Sequence, residues 1–494
     1  MCIRDRLKRV RIILTVLLLL ATVGVDAQVT TASMAGKVTD ASNEPIIGAT
    51  VQAVHQPSGS RYGTVTNVDG RYSIQGMRTG GPYRVEISYI GYQTVIYKDI
   101  TLQLGEVYNL NVEMSESSEL LNEVIVTAAK TKFTAEKTGA TTNISSAQMT
   151  QLPTVNRSIS DIARLSPYAN GMSFAGGDGR STNFTIDGAN FNNNFGLSSN
   201  LPGGGNPISM DAIEEVQVVV APFDVRQTNF IGGGINAITK SGTNTFRGTA
   251  YTYYRNQDMR GNRINGEDLG ARSDESKTTY GFTLGGPIIK NKLFFFVNYE
   301  KEKTPGEVIK YRAREDGEDA KGMVSRTLKS DMEKVYNHLK DKYGYDAGSY
   351  TNFPADEENT KLLARIDWNI TDRHRLSLRY NNTKNTAWNA PNGNSSDTGY
   401  RLNNTYRVGT QSMAFANSMY SMDNKVQSWA ADLNSRFTDK ISNQLLFTYT
   451  NIEDMRGTNS SPFPFIDIMA GKDENGNHCL LYTSPSPRDG LLSR

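Results

Sequence analysis

Residues of the types that usually do chemistry are scarce in this chain. It has 4 histidines and 2 cysteines among 494 residues. Zinc hydrolases need two or three His or Glu ligands plus a base, and a catalytic triad needs a histidine beside its nucleophile. The glycine-rich run 176–181 lacks the lysine and the glycine spacing of a phosphate-binding loop. The sequence therefore predicts no catalytic residue, no metal site and no cofactor, which favours a protein that is not an enzyme.

One short run is suited to a different task, the pairing of a strand with a partner. It consists of Glu123, Val124, Ile125, Val126, Thr127 and Ala128. Its β-branched residues favour an extended backbone but have little to pack against in a polar linker. By itself the run could be a short strand or a peptide that adds to the edge of a partner's sheet.

Composition limits the class of protein that must position this run. Lys plus Arg total 53 and Asp plus Glu total 51, so no excess of charge indicates nucleic acid. The length allows two or three domains. Hydrophobic residues make up 37% of the chain, too few for a helical membrane protein. A transmembrane barrel has such a composition, because alternate residues of each strand face water.

The two ends, residues 1–6 and 479–494, are predicted to be foreign to the native protein. Met1–Asp5 can be encoded by a string whose reverse complement lies inside a coding string for Cys479–Ser484. That string resembles a sequencing-library transposase adapter, and we exclude both ends from predictions of the fold. Both cysteines lie there, so no disulfide or thiolate metal site is expected. We also expect the gene to have been cut on its 3′ side, so that a whole barrel needs further strands.

Residues 7–27 have the features of a secretory signal. Basic residues are followed by the apolar run Ile12–Val25, which is too short to span a bilayer, and then by small residues before Gln28. A short membrane anchor is the alternative, and export is expected in either case.

Residues 28–114 are predicted to form a small all-β domain. Strands are expected at 35–40 and 45–51, and residues 64–74 are predicted to form a hairpin with Asp69 and Gly70 at its turn. This pattern resembles the carboxypeptidase regulatory-like domain, a seven-stranded sandwich of transthyretin type. His55 is its only histidine, so we predict a structural or docking module rather than a peptidase.

Residues 115–130 are expected to form a linker, and residues 131–242 a domain rich in Asn and Gly. A short helix is expected between Leu152 and Pro167, and strands at 180–188 and 213–220. Together with 223–226 and 232–242, these segments resemble, in order and spacing, the plug domain of TonB-dependent outer-membrane receptors.

From residue 243 to 478, apolar and polar residues alternate strictly. Seven candidate strands of roughly nine to eleven residues, the length that a tilted transmembrane strand needs, are joined by alternating short and long connections. The short turns are predicted at 287–291, 371–373 and 438–440, and long polar loops at 256–276, 301–360 and 382–425. A soluble β-sandwich is the alternative, and loops of forty or more residues argue against it. The expected outward positions are Tyr280, Phe282, Leu284, Ile366, Trp368, Leu376, Leu378, Phe447 and Tyr449.

The predicted fold is thus dominated by β-structure: a transthyretin-like β-sandwich, an α/β plug domain and about seven strands of a transmembrane antiparallel barrel. The chain is similar to the Oar-like branch of the TonB-dependent receptors, which carries a regulatory-like domain at its N-terminus. The resemblance implies a plugged barrel of twenty-two strands, opened by a TonB-type inner-membrane protein that uses the proton-motive force. It also implies that Glu123–Ala128 is the TonB box.

The resemblance places ligand residues at the apex of the plug, where loop 190–207 is the candidate. Its possible ligand-facing residues are Asn190, Phe191, Asn192, Asn193, Asn194 and Phe195. Such side chains suit glycans or peptides, although turn chemistry alone also explains them.

The expected surroundings are outer-membrane lipid of a Gram-negative bacterium of Bacteroidetes type and a surface lipoprotein partner. A passive porin, an adhesin and a factor for handling surface proteins remain alternatives, and glycan, peptide and metal chelate remain open as substrates.

Overall fold

The structure is a computed structural model. It describes residues 29–116, 124–127, 140–152, 154, 157–193, 201–220, 227, 231–259, 261, 263–268, 276–305, 311–321, 323–351, 356–389, 412–439, 441–464, 466–472 and 478–484. The predicted signal 7–27 lies outside these residues. Among those described, no helix has the length and apolar character needed to cross a membrane.

The N-terminal domain is a sandwich of two sheets. Its strands are β1 (Ala32–Asp40), β2 (Thr50–His55), β3 (Ser60–Val65), β4 (Arg71–Met77), β5 (Gly80–Ser88), β6 (Val95–Leu102), β7 (Val107–Asn109) and β8 (Val112–Met114). One sheet pairs β1 with β4, β7 and β8, and the other has the order β3-β2-β5-β6. Alternate apolar residues from both sheets, such as Met34, Val51 and Ile87, are fully buried between them. The predicted sandwich is confirmed.

The predicted hairpin at 64–74 is wrong in one respect. Asn67 and Gly70 do close a turn, since the Gly70 N–H donates to the Asn67 carbonyl at 3.0 Å. However, β3 pairs with β2, and β4 pairs with β1. The turn therefore crosses from one sheet to the other, a distinction that a local sequence pattern does not contain.

The second unit is a small mixed sheet with two short helices. Its elements are β10 (Ala140–Ser145), α1 (Ser146–Gln151), α2 (Ile159–Ala163), β11 (Ala169–Asn170), β12 (Ser173–Phe174), β13 (Asn183–Ile186), β14 (Ala189–Asn190), β15 (Ile213–Val220) and β16 (Gly233–Thr239). The sheet order is β10-β15-β16-β13-β14, with β13 and β16 parallel. Helix α2 begins at Ser158, whose side chain accepts the Asp161 N–H. This unit corresponds to the predicted plug, and residues 223–226 lie outside the described part.

The third unit is a seven-stranded antiparallel sheet whose strands follow the chain in consecutive order. Its strands are β17 (Arg247–Asn256), β20 (Ser276–Ile289), β21 (Leu293–Thr304), β24 (Glu357–Asn369), β25 (His374–Asn389), β27 (Tyr420–Arg436) and β28 (Ser442–Gly457). Most are longer than the nine to eleven residues predicted. Two of the short turns lie where they were predicted, and the first is shifted to 290–292 because β20 continues to Ile289. One rim of the sheet, the short-turn rim, therefore carries all three.

The two faces of this sheet have opposite character. Phe282, Trp368 and Phe447 are 45%, 45% and 64% exposed, whereas Asp367 and Arg379 are buried on the other face. Eight of the nine predicted outward residues are exposed, and Leu376 is partly exposed. A sheet with apolar residues outside and polar residues inside is typical of a barrel in lipid.

The long connections were predicted as polar loops, and they contain more order than that. They hold β18 (Arg263–Ile264), β19 (Glu267–Asp268), β22 (Arg312–Arg314), β23 (Val324–Leu328), α3 (Lys329–Tyr343) and β26 (Met413–Ala414). Two further strands, β29 (Ile466–Lys472) and β30 (His478–Ser484), follow the last strand of the sheet, β28. Met332 and Leu339 of α3 pack with Phe415 and Met419 in a separate apolar cluster, which orders these connections. Strand β30 includes residues 479–484; its pairing with β29 does not test their predicted foreign origin.

Candidate functional site

The box candidate is extended and lies on the N-terminal domain. Its residues Val124–Thr127 form β9, which pairs in parallel with β6 from Val95 to Lys98. The run was expected to have little to pack against, and that expectation is wrong, because its backbone pairs with a sheet of its own chain. An open sheet edge offers unpaired N–H and C=O groups to any extended segment within reach, and β6 is such an edge. Glu123 and Ala128 lie outside the described residues.

The first part of the apical loop candidate is held by the plug itself. Phe191 is fully buried, with its ring 6.2 Å from that of Phe184. Asn192 Oδ1 accepts the Phe184 N–H at 2.6 Å, and Asn190 Oδ1 accepts the Asn192 N–H at 2.7 Å. Phe191 therefore does not face a ligand here, because an aromatic residue in a plug is as suited to the core as to stacking. A role for Asn190, Asn192 and Asn193 stays a prediction, and Asn194 and Phe195 lie outside the described residues.

The second part of that loop, residues 201–207, contacts the inner wall of the sheet in the half away from the short turns. The Pro207 carbonyl accepts hydrogen bonds from Thr383 at 2.7 Å and Asn381 at 3.2 Å. A Cβ atom at Gly204 would lie 2.5 Å from the Asn385 side chain, and its φ is +74°. Only glycine fits such a close, left-handed position. Residues 201–207 therefore lie toward the long-loop end of the sheet, and a place at the apex of a plug stays a prediction for the whole loop.

A polar pocket of about 210 Å³ lies beside this loop. Its lining includes Ser158, Gly204, Lys277, Glu302 and Glu357. In this pocket, residues of the plug meet the inner wall of the sheet at its long-loop end. A ligand here would meet hydroxyl, amide and charged groups rather than an aromatic platform.

Behind the pocket lies a buried charge cluster that the sequence interpretation did not identify. Lys361 Nζ donates to Glu300 at 2.9 Å and also contacts Glu302, and all three residues are buried. Ser209 of the plug donates to Glu300 at 2.8 Å. The alternation of β21 contained the signal: Glu300 and Glu302 alternate with outward-facing residues and so must face inward.

A second ionic cluster holds the plug against the sheet nearer the short-turn rim. Asp187 lies 3.5 Å from Arg365 and 3.6 Å from Arg379, and Arg365 forms two hydrogen bonds of 3.0 Å with Asp367. Asp187 also accepts hydrogen bonds from the backbone N–H and hydroxyl of Thr239. Burial raises the pKa of the nearby plug carboxyl Glu214. The plug is thus fixed to the wall by polar contacts, which water can replace, and by the packing of Phe296, Leu363 and Val426 of the sheet against its core.

Within the described residues, no group of three or more His, Cys, Asp or Glu side chains is placed to hold a metal ion. The geometry therefore presents a plugged sheet, an apical polar pocket and a strand-forming segment at the opposite end.

Two family models match separate parts of the chain. The carboxypeptidase regulatory-like domain matches residues 33–115, and an outer membrane beta barrel domain matches residues 238–308. The order of sandwich, plug and lipid-facing sheet defines the class of TonB-dependent receptors.

A particular relative belongs to that class. The TonB-dependent transporter Oar of Myxococcus xanthus is 25% identical over 376 residues, which are 70% of this chain and 33% of that protein. The predicted resemblance to TonB-dependent receptors of the Oar-like branch is thereby confirmed. The chain spans about a third of the length of this relative.

Several solved structures are also similar. The outer membrane transporter YddB from Escherichia coli is 15% identical with a TM-score of 0.46, over 69% of this chain and 43% of that one. The siderophore receptor PirA from Pseudomonas aeruginosa is 15% identical with a TM-score of 0.40, over 65% and 42%. The alcaligin outer-membrane receptor FauA from Bordetella pertussis is 10% identical with a TM-score of 0.39, over 65% and 40%. These named proteins are transporters and receptors rather than enzymes.

Proposed function

We propose that the full-length protein is an energy-coupled importer in the outer membrane of a Gram-negative bacterium. It moves a substrate too large for porins, and its signal peptide, residues 7–27, directs it out of the cytoplasm. A Bacteroidetes-type source, with a surface lipoprotein as a further partner, fits the same pattern. Glycan, peptide and metal chelate all remain possible substrates.

The observation that carries this proposal is the plug seated on the polar face of the sheet. Asp187 with Arg365 and Arg379 anchors it near the short-turn rim, and the Pro207 carbonyl with Thr383 anchors it higher up. A passive porin has no use for a separately folded domain across its lumen. Polar anchors suit a plug that must move, because they lose little when water replaces the partner.

The box candidate supplies the coupling step. A TonB-type inner-membrane protein would pair with the backbone of Val124–Thr127 and pull on the plug, whose first strand, β10, begins at Ala140. Since β9 already pairs with β6, that partner either adds to the free edge of β9 or displaces β6. Backbone pairing explains why this short run needs strand propensity more than specific side chains.

Deletion of residues 123–128 from the full-length protein tests the proposal. A strain lacking the gene is first grown on panels of glycans, peptides and iron chelates, to find the nutrient that it no longer uses. The deletion should fail to restore growth on that nutrient while the protein still reaches the outer membrane. A deletion of residues 131–136, equal in length but outside the box, should restore growth. Full restoration by the box deletion would refute energy coupling through this run.

A further inference from the structure

The N-terminal domain lies across the short-turn rim of the barrel sheet. The Ser60 hydroxyl accepts a hydrogen bond of 3.0 Å from Asn369, at the end of β24. Arg375 donates to the Arg61 carbonyl at 2.6 Å, and its guanidinium lies 3.7 Å from the centre of the Tyr62 ring. These contacts come from the first three residues of β3, and they reach the strand ends on either side of the turn between β24 and β25.

The same domain also contacts the other two short turns. At the turn between β20 and β21, a Cβ atom on Gly59 would lie within 3.4 Å of Asn291 Cβ. At the turn between β27 and β28, Ser442 donates to Gln75 at 3.3 Å. Thr30 donates to Asp432 of β27 at 2.7 Å. The domain therefore covers this end of the sheet rather than touching it at one point.

A cavity of about 420 Å³ lies between the domain, the plug and the sheet. Charged residues line it from all three units, among them Arg78, Asp187, Glu214 and Arg365. Arg78 extends from the N-terminal domain, with its guanidinium 3.6 Å from the Asp367 carboxylate and 3.3 Å from the Ser241 hydroxyl. A substrate that passed the plug would enter this polar space, and the N-terminal domain stands at its far side.

The contact of the N-terminal domain with the plug and the sheet is polar enough to open. The apolar core of the sandwich and that of the plug are separate clusters. Among the described residues, the apolar cluster that joins the two units consists of Val29, Leu104 and Ile238. Interfaces of this kind, built from hydrogen bonds and ion pairs with little apolar area, allow domains to move relative to each other. By contrast, an interface built mainly from apolar residues would fix the domain in place.

We propose that the N-terminal domain is a gate that closes the short-turn mouth of the barrel and must undock before substrate leaves. The proposal of a gate rests on the proposed transport function. Strand β9 on the edge of β6 connects the gate to the coupling step, because a pull on the box acts on the gate as well as on the plug. The domain is thus a moving part of the transporter.

A disulfide between Gly76→Cys and Asn434→Cys tests the gate in the full-length protein. A Cβ atom at residue 76 would lie 4.0 Å from Asn434 Cβ, within the range that disulfides span. Residues 28–478 contain no other cysteine. Mild oxidation should form the bond in resting cells. Uptake of the nutrient identified above should then fall at least tenfold, and a reducing agent should restore it.

The control pair is Gly91→Cys with Asn434→Cys. No atom lies within 4 Å of a Cβ at residue 91, and its φ of +85° is as unfavourable for a side chain as the +66° at Gly76. This pair should neither crosslink nor respond to oxidation. Failure of the first pair to crosslink would refute the docking. Full uptake with the bond formed would refute the gate while leaving the coupling through residues 123–128 intact.

A second measurement needs no substrate. Ser241→Cys is labelled with a biotin maleimide in isolated outer membranes, where the docked domain should shield it. Replacing Asn369 and Arg375 with alanine removes contacts on the barrel side and should raise the labelling rate at least fivefold. Val68→Cys, at a position that is 71% exposed, should be labelled equally in both backgrounds. An unchanged rate at residue 241 would contradict a domain held by these contacts.

Discussion

The N-terminal sandwich and the barrel sheet use the same alternation of residues in opposite ways. In the sandwich, Val51 and Ile87 are buried and their neighbours in sequence face water. In the barrel sheet, Phe282 and Trp368 face outward, whereas Asn298, Glu300 and Asp367 are buried. The difference shows that alternation with a period of two predicts a sheet with one apolar and one polar face. Whether the apolar face meets a protein core or lipid depends on the rest of the molecule.

The consequence is a different source of stability in each region. The sandwich carries its own apolar core and should fold in water without help. The barrel sheet depends on lipid outside and on the plug and buried ion pairs inside. Substitutions of an inner charged residue, an outward-facing residue and a sandwich residue should therefore change stability in three distinct ways.

The largest effect is expected for Asp367→Ala on the inner face. Asp367 is fully buried and bound to Arg365, Ser377 and, more distantly, Arg78. Its removal leaves buried cations partly unpaired, at a cost of about 3–5 kcal/mol. The folded, heat-modifiable form of the full-length protein should disappear at a distinctly lower temperature on gels.

The matched control is Asp372→Ala in the exposed turn between β24 and β25. That change should leave the transition temperature within error of the parent. Equal behaviour of the two variants would mean that the inner charges contribute no net stability.

A smaller effect is expected for Phe282→Arg on the outer face, near the middle of β20. Phe282 is 45% exposed, and Val65 of the sandwich is 46% exposed. Arginine at the lipid-facing position should cost about 2–4 kcal/mol, whereas Val65→Arg in water should cost under about 0.5 kcal/mol. Denaturant titration of the full-length protein in lipid vesicles measures the first, and titration of the isolated residues 28–114 measures the second. Similar costs would indicate that both positions face water.

Much of this arrangement could be predicted from the sequence, because it depends on side-chain pattern. The outward positions Tyr280 and Trp368, the three short turns and the order of the domains all follow from periodicity and turn residues. The part that could not be predicted depends on the backbone or on distant contacts. The pairing of β9 with β6 uses N–H and C=O groups that every sequence has.

Two further departures have similar causes. The turn at Asp69 and Gly70 has the same local residues whether it joins two strands of one sheet or crosses between sheets. Phe191 was assigned to a ligand surface because aromatic residues serve both as stacking groups and as core, and only the fold decides between them. At the candidate site, the charge pairs of Lys361 could have been found by carrying the alternation of β21 through Glu300 and Glu302.

The third effect is a dependence on pH that belongs to the sandwich alone. His55 is buried, with its Nδ1 atom 2.6 Å from the Ser58 hydroxyl. Burial, assisted by the nearby Arg78, lowers the pKa of His55 to about 3 from 6.5. Between these two values the unfolded chain binds a proton that the folded chain does not, so stability is fully present above pH 6.5 and falls as the pH drops toward 3. One such group changes the free energy of unfolding by at most about 1.4 kcal/mol per pH unit.

Denaturant titration of the isolated residues 28–114 between pH 7 and 5 measures this dependence. The substitution His55→Asn should remove the histidine's contribution to the change of stability with pH. His55 is the sole histidine of the domain, so a pH titration followed by proton NMR assigns its pKa without ambiguity. An ordinary pKa near 6.5 would show that the isolated domain leaves this ring open to water.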